Sequence, residues 1–162
     1  MEQIIIPNAV PGRTYTITVK HKGTLTNNTQ QYALIVSGIG GKAFCESKAT
    51  SAADSKITQV ILGTINQTAK SGCQEYSDFM TQTAPIAAGQ SLPLEVSVGS
   101  CGSDFAKVVK VFVDWNGDGD FDDPNELVAT SDVINATGTF KTTVKAPSGL
   151  VVGNVSRVRI VC

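Results

Sequence analysis

Apolar and polar residues alternate with a period of two along much of this chain, the spacing that sends successive side chains to opposite faces of a strand. In residues 14–20, Tyr15, Ile17 and Val19 share one face while threonines and Lys20 take the other. Residues 31–37 repeat the pattern through Tyr32, Leu34 and Val36. The intervening His21-Lys22-Gly23 and Thr26-Asn27-Asn28-Thr29 are turn-forming, so the pattern predicts a hairpin with a long loop. Gly38-Ile39-Gly40-Gly41 then reads as a linker. Further strands are expected over residues 57–65, 92–98, 108–113, 126–130, 138–145 and 155–161, with turn signals such as Ala88-Gly89-Gln90, Gly99-Ser100 and Pro147-Ser148-Gly149 between them. Residues 50–56 and 74–83 follow neither period and are expected to be irregular or to hold a helical turn. No stretch places apolar side chains at helical spacing.

The expected fold is therefore all-β: an antiparallel β-sandwich, jelly-roll-like, over residues 42–162, with a small N-terminal β-strand segment over residues 1–41. A chain of 162 residues can bury one sizeable core and a small appendage. The first 41 residues supply too few strands for a core of their own, and both ends of the chain read as cut from a longer one. No run of about 18 apolar residues is present to span a membrane, and Glu2-Gln3-Ile4-Ile5-Ile6-Pro7 lacks the basic start and apolar length of a signal peptide.

The net charge of −1 hides an uneven distribution. Six of the 14 acidic residues lie between Asp114 and Glu126, and the remainder of the chain carries an excess of five positive charges. The basic residues form no dense cluster interleaved with aromatics, so nucleic acid is not an expected partner. The acidic segment instead carries D-x-N-x-D-G-D, the opening of an EF-hand-type calcium loop. Asp114, Asn116 and Asp118 would give side-chain oxygens, Asp120 a carbonyl or carboxylate oxygen, and Glu126 a closing carboxylate, with Gly119 permitting the sharp curl. An EF-hand has its glutamate at position 12, where this chain has Asn125, and a strand rather than a helix leads in. The loop is thus expected to hold structural Ca2+ as extracellular modules do, without a conformational switch. The competing reading is a solvated acidic turn, since Asn-Gly and Asp-Gly are hairpin signals by themselves.

Cys45, Cys73, Cys101 and Cys162 are widely spaced, with no C-x-x-C pair of the zinc-ribbon kind. An even count in a strand-rich chain fits two disulfides and an oxidising compartment. Three connectivities are open; nesting one loop inside the other favours Cys73 with Cys101 and Cys45 with Cys162, and four buried free thiols are the alternative. His21, the one histidine, sits in the hairpin turn, and no complete nucleophilic, metallopeptidase or phosphate-binding motif is present. Asp118 with Asp120 or Glu126 could be a glycosidase pair, but carboxylates this close around one loop are better placed to surround a cation. Trp115 continues the Val109, Val111, Val113 face and is expected in the core, opposite Lys110, Phe112 and Asp114. Tyr76 and Phe79 are candidates for an exposed contact with a substrate, with a satellite cluster under a loop as the alternative.

Phe44-Cys45, Ile65-Asn66 after Leu62-Gly63-Thr64, Tyr76-Ser77-Asp78-Phe79, Val113 through Phe121 and Val158-Arg159-Ile160 together resemble the GEVED domain, an accessory module of secreted Bacteroidetes proteins, over residues 43–162. Residues 13–25 and 31–38 are similar to the end of the β-sandwich that follows the catalytic domain in subtilisin-like serine peptidases of the same phylum. Together the resemblances imply the non-catalytic C-terminal region of a secreted or cell-surface peptidase, exported by a type IX route. The peptidase catalytic domain would be its partner in the same parent chain, and a protein substrate such as collagen the ligand it helps to hold. A cell-surface adhesion or carbohydrate-binding module is the other expectation.

Overall fold

The computed structural model describes residues 4–6, 14–36, 44, 47, 49–69, 71–151, 153 and 155–162. The chain forms two compact units, Met1–Phe44 and Cys45–Cys162.

Among the described residues of the first unit no strand forms, which departs from the expected hairpin; a single 3-10 turn, Thr26–Asn28, stands where its loop was placed. Tyr15, Ile17, Val19, Tyr32, Leu34 and Val36 are all exposed. A hairpin alone is marginal in water, because strand pairing is held mainly by what its apolar face buries. Here both alternating faces stay exposed among the described residues. The expected linker at residues 38–41 lies outside the described residues.

Among its described residues the second unit forms nine strands, all paired antiparallel. Its strands are Ser55–Leu62 (β1), Ile65–Thr68 (β2), Ser91–Ser100 (β3), Ala106–Lys107 (β4), Lys110–Asp114 (β5), Leu127–Thr130 (β6), Ile134–Asn135 (β7), Gly138–Lys145 (β8) and Arg157–Val161 (β9). They form sheets of order β2-β1-β3-β8, β6-β5-β9 and β4-β7. The four-stranded and three-stranded sheets share one apolar core, made of Leu62, Leu94, Val96, Val98 and Val144 from the first and Val111 and Val113 from the second, with Val109 beside them. Packing one sheet's apolar face on another's is the β-sandwich solution.

The alternation in β3 explains its place. Leu94, Val96 and Val98 point inward and are fully buried, while Glu95 and Ser97 point out and meet Lys141 at 2.9 Å and Thr139 at 3.0 Å, their direct partners on β8. Pro93 causes no loss here. Its carbonyl accepts from Gly63 at 3.4 Å, just past the end of β1 pairing at Leu62–Leu94, so its missing N–H faces a stretch with no ladder to complete.

The run expected as one strand over residues 57–65 is a hairpin. Gly63 takes a positive φ of 57° and turns the chain between β1 and β2, a conformation glycine adopts at no steric cost. Residues 74–83 are irregular, without a helical turn. Cys73 and Cys101 are joined in a disulfide with Cα atoms 6.0 Å apart. The second expected bond, between Cys45 and Cys162, does not appear among the described residues: Cys162, just past β9, is an exposed free thiol, and Cys45 lies outside them. Among the described residues no helix is long and apolar enough to cross a membrane.

Candidate metal centre

β5 and β6 are neighbours in the three-stranded sheet, so the acidic segment between them is the connection of a long-looped hairpin. Its first carboxylate ends β5 and its last stands just before β6. The Val113 N–H donates to the Glu126 carbonyl at 2.8 Å, which extends the ladder by one step and brings Asp114 and Glu126 to the same end of the sheet.

Asp114 organises the loop. One carboxylate oxygen accepts from the Gly117 N–H at 2.6 Å and the Asp118 N–H at 3.2 Å, and the other from the Gly119 N–H at 3.1 Å. The side chain was expected opposite the core face, and instead it is fully buried, because the loop wraps over it. Gly117 and Gly119, with φ of 70° and 99°, supply the left-handed steps that this wrap requires. The turn then repeats. Asn116 accepts from the Asp118 N–H at 2.9 Å, Asp118 from the Asp120 N–H at 3.2 Å, and Asp120 from the Asp122 N–H at 3.0 Å. Each is a side chain closing on a backbone N–H two residues on, the Asx-turn habit of Asp and Asn. Phe121 anchors the far side, edge-on to Phe112 at 6.1 Å and under the Arg159 guanidinium at 4.3 Å.

Carboxylate oxygens of Asp114, Asp118 and Glu126 lie within 4.8 Å of one another, and those of Asp118, Asp120 and Asp123 do the same. Of the five expected ligands, three thus converge in an inner group with two buried members, while Asp120 belongs to an outer, exposed group that shares Asp118. Asn116 takes another part: its amide N–H2 donates to both Asp118, at 2.9 Å, and Asp123, at 2.5 Å, and holds those carboxylates together. Asp123 was not among the expected ligands. The D-x-N-x-D-G-D template ends before it, and its only sequence signal is a further acidic pair, Asp122-Asp123, between the template and Glu126.

Glu126 is buried to 2 % exposure, and neither of its carboxylate oxygens has a hydrogen-bond partner. Burial raises its pKa above the ordinary 4.5, the neighbouring Asp123 backbone opposes this, and the charges of Asp114, Asp118 and Asp123 raise it further. Asp123 is raised above 3.8, first by its hydrogen bond with the Asp118 carboxyl, while the Asn116 amide lowers it. Two like charges about 4 Å apart repel by about 1 kcal/mol in water and by about 4 kcal/mol near a protein surface. A cation would relieve both problems. Two oxygens bound to one calcium at about 2.3–2.6 Å stand at most about 5 Å apart, so the inner group fits such an ion.

The remaining candidates are positioned otherwise. Trp115 is partly buried and packs against the core cluster. Tyr76 and Phe79 are exposed on the irregular segment after Cys73, beside exposed Met80. His21 is exposed and its ring Nδ1 bonds the Gly23 carbonyl at 2.6 Å, a local turn contact.

Residues 108–162 match the GEVED domain, an accessory, non-catalytic domain family. The match takes in β5, the whole acidic loop and every later strand. Comparison with the curated proteins and with the solved structures finds no significant match.

Proposed function

We propose that this chain is a non-catalytic accessory region of a secreted, multidomain protein, and that the β5–β6 loop binds a calcium ion that fastens one end of its sandwich. Glu126 carries the reading. Buried acceptors are almost always satisfied, and an ionised carboxylate with both oxygens buried and unpartnered, facing two further carboxylates, is missing a cation. Asp114 and Glu126 would supply buried ligands from the two strand ends and Asp118 one from the loop. The ion would neutralise the group and tie β5 to β6 through side chains as well as through the ladder. The role is structural, since Asp114 and the Asx turns already hold the loop's course.

The parent is a subtilisin-like peptidase in this reading, supported by the resemblance of residues 13–25 and 31–38. The module would then extend the enzyme and help to hold protein substrate, with Tyr76 and Phe79 as exposed contacts. Retention of the purified chain on insoluble collagen but not on polysaccharide is the expected result.

Thermal unfolding of the chain in excess calcium and in chelator, beside Asp118→Ala, tests the site. A ligand that binds only the folded state adds about 2.7 kcal/mol at one hundred times its Kd. The wild type gains this and Asp118→Ala loses most of it. An unchanged midpoint in the wild type would return the segment to a solvated acidic turn.

A further inference from the structure

We infer that Glu126 makes the site select calcium over magnesium by offering both of its carboxylate oxygens to one ion, an inference that rests on the calcium reading of the loop. Both oxygens are buried and neither meets a protein donor at hydrogen-bond geometry. Nothing therefore holds one oxygen away from an ion that the other approaches. Asp114 is different: its two oxygens already accept three backbone N–H groups at 2.6 to 3.2 Å, which occupy most of its lone pairs and leave it a single-oxygen ligand.

The backbone fixes the aim of Glu126. Its N–H donates to the Asp123 carbonyl at 3.2 Å, and its carbonyl accepts from Val113 at 2.8 Å. Asn125, just before it, takes a left-handed φ of 73°, which an asparagine tolerates better than most residues. That step absorbs the one residue by which this loop exceeds the EF-hand spacing and turns the glutamate, rather than Asn125, toward Asp114 and Asp118. A two-oxygen carboxylate suits calcium, which accepts six to eight ligands in flexible geometry. It does not suit magnesium, which demands near-ideal octahedral geometry at about 2.0–2.1 Å and gives up water reluctantly. The bite of one carboxylate is far narrower than the right angle between octahedral neighbours.

Trp115, the only tryptophan and next in sequence to Asp114, allows a direct test on the full chain. Terbium, a calcium-sized ion, is bound and its luminescence excited through Trp115, then displaced by calcium or by magnesium in the wild type, Glu126→Asp and Glu126→Gln. The expected result is a calcium midpoint more than about tenfold below that of magnesium in the wild type. Glu126→Asp withdraws the carboxylate by one methylene and Glu126→Gln removes the second ligating oxygen; either should collapse the ratio, mainly by weakening calcium. Equal displacement of terbium by the two ions from the wild type overturns the selectivity and leaves the cation site standing, whether or not the variants fold. A ratio kept by a folded Glu126→Asp or Glu126→Gln overturns the role of Glu126. Absence of terbium or calcium binding by the wild type overturns the site itself.

Discussion

Replacing Glu126 with methionine separates two effects that a simple loss-of-function variant would merge. Methionine is unbranched and of similar length, so it can fill the space without the charge. In the absence of metal, wild-type Glu126 keeps a carboxylate at 2 % exposure with both oxygens unpartnered. An unsatisfied buried polar group costs about 1–3 kcal/mol, and more when charged. Removing it should stabilise the metal-free fold by about that amount. The unit Cys45–Cys162 is of a size at which 1 kcal/mol moves the midpoint by roughly 4 °C, so the gain is about 4–12 °C. In excess calcium the order reverses, because the wild type gains about 2.7 kcal/mol at one hundred times Kd while the variant has lost its innermost ligand. The assay is thermal unfolding followed by near-ultraviolet circular dichroism, in chelator and in calcium. Glu126→Met less stable than wild type in chelator would refute the reasoning, because it would mean the carboxylate is satisfied in the metal-free protein.

Asp114→Ala should destabilise the protein with and without calcium, since it leaves the Gly117 and Gly119 N–H groups without their acceptor and the Asp118 N–H with Asn116 alone; a loss of about 2–4 kcal/mol in chelator, read by urea unfolding, is expected. Phe121→Ala, which empties the space beside Phe112 and under Arg159, should cost about 3 kcal/mol and weaken calcium binding measured by titration calorimetry. Removing the Cys73–Cys101 bond, which spans 28 residues, should cost up to about 3.6 kcal/mol by loop-closure entropy, seen as a lower midpoint in Cys73→Ser/Cys101→Ser. In chelator, the raised pKa of Glu126 means that the folded state holds this proton more tightly than the unfolded state. Its contribution therefore improves stability as pH falls from neutral through the folded pKa toward 4.5, and is constant below. With calcium present the same acidification lowers the midpoint, because protons compete with the ion; a titration of midpoint against pH in both buffers checks the opposite signs.

How much of this was legible in the chain depended on what each segment buries. Residues 92–98 and 138–145 alternate cleanly and became β3 and β8, whose inward residues face a second sheet. Residues 14–20 alternate just as cleanly and form no strand, because alternation states a preference for a half-buried surface and cannot supply the surface. The hairpin at Gly63 was hidden by the apolar run Val60-Ile61-Leu62 before the glycine and by Ile65 two residues after it. β4 and β7, of two residues each, are too short to leave a period.

The acidic loop was legible for a different reason. Its residues must satisfy backbone N–H groups one after another, and only Asp, Asn and Gly at fixed offsets can do so, which leaves a signature in the letters. What the letters did not carry was which carboxylates would be left over. Asp114 faces away from the core in strand register, yet it is fully buried because three successive amides of its own loop close over it. Asp118 reaches inward while Asp120 and Asp123 gather outside. The division between an inner group around the unpartnered Glu126 carboxylate and an outer group that the Asn116 amide holds arises from the β5–β6 pairing, which brings two distant ends of the loop side by side. The motif read alone gives five ligands around one ion; the hairpin makes Glu126 the one whose buried carboxylate is left without a hydrogen-bond partner.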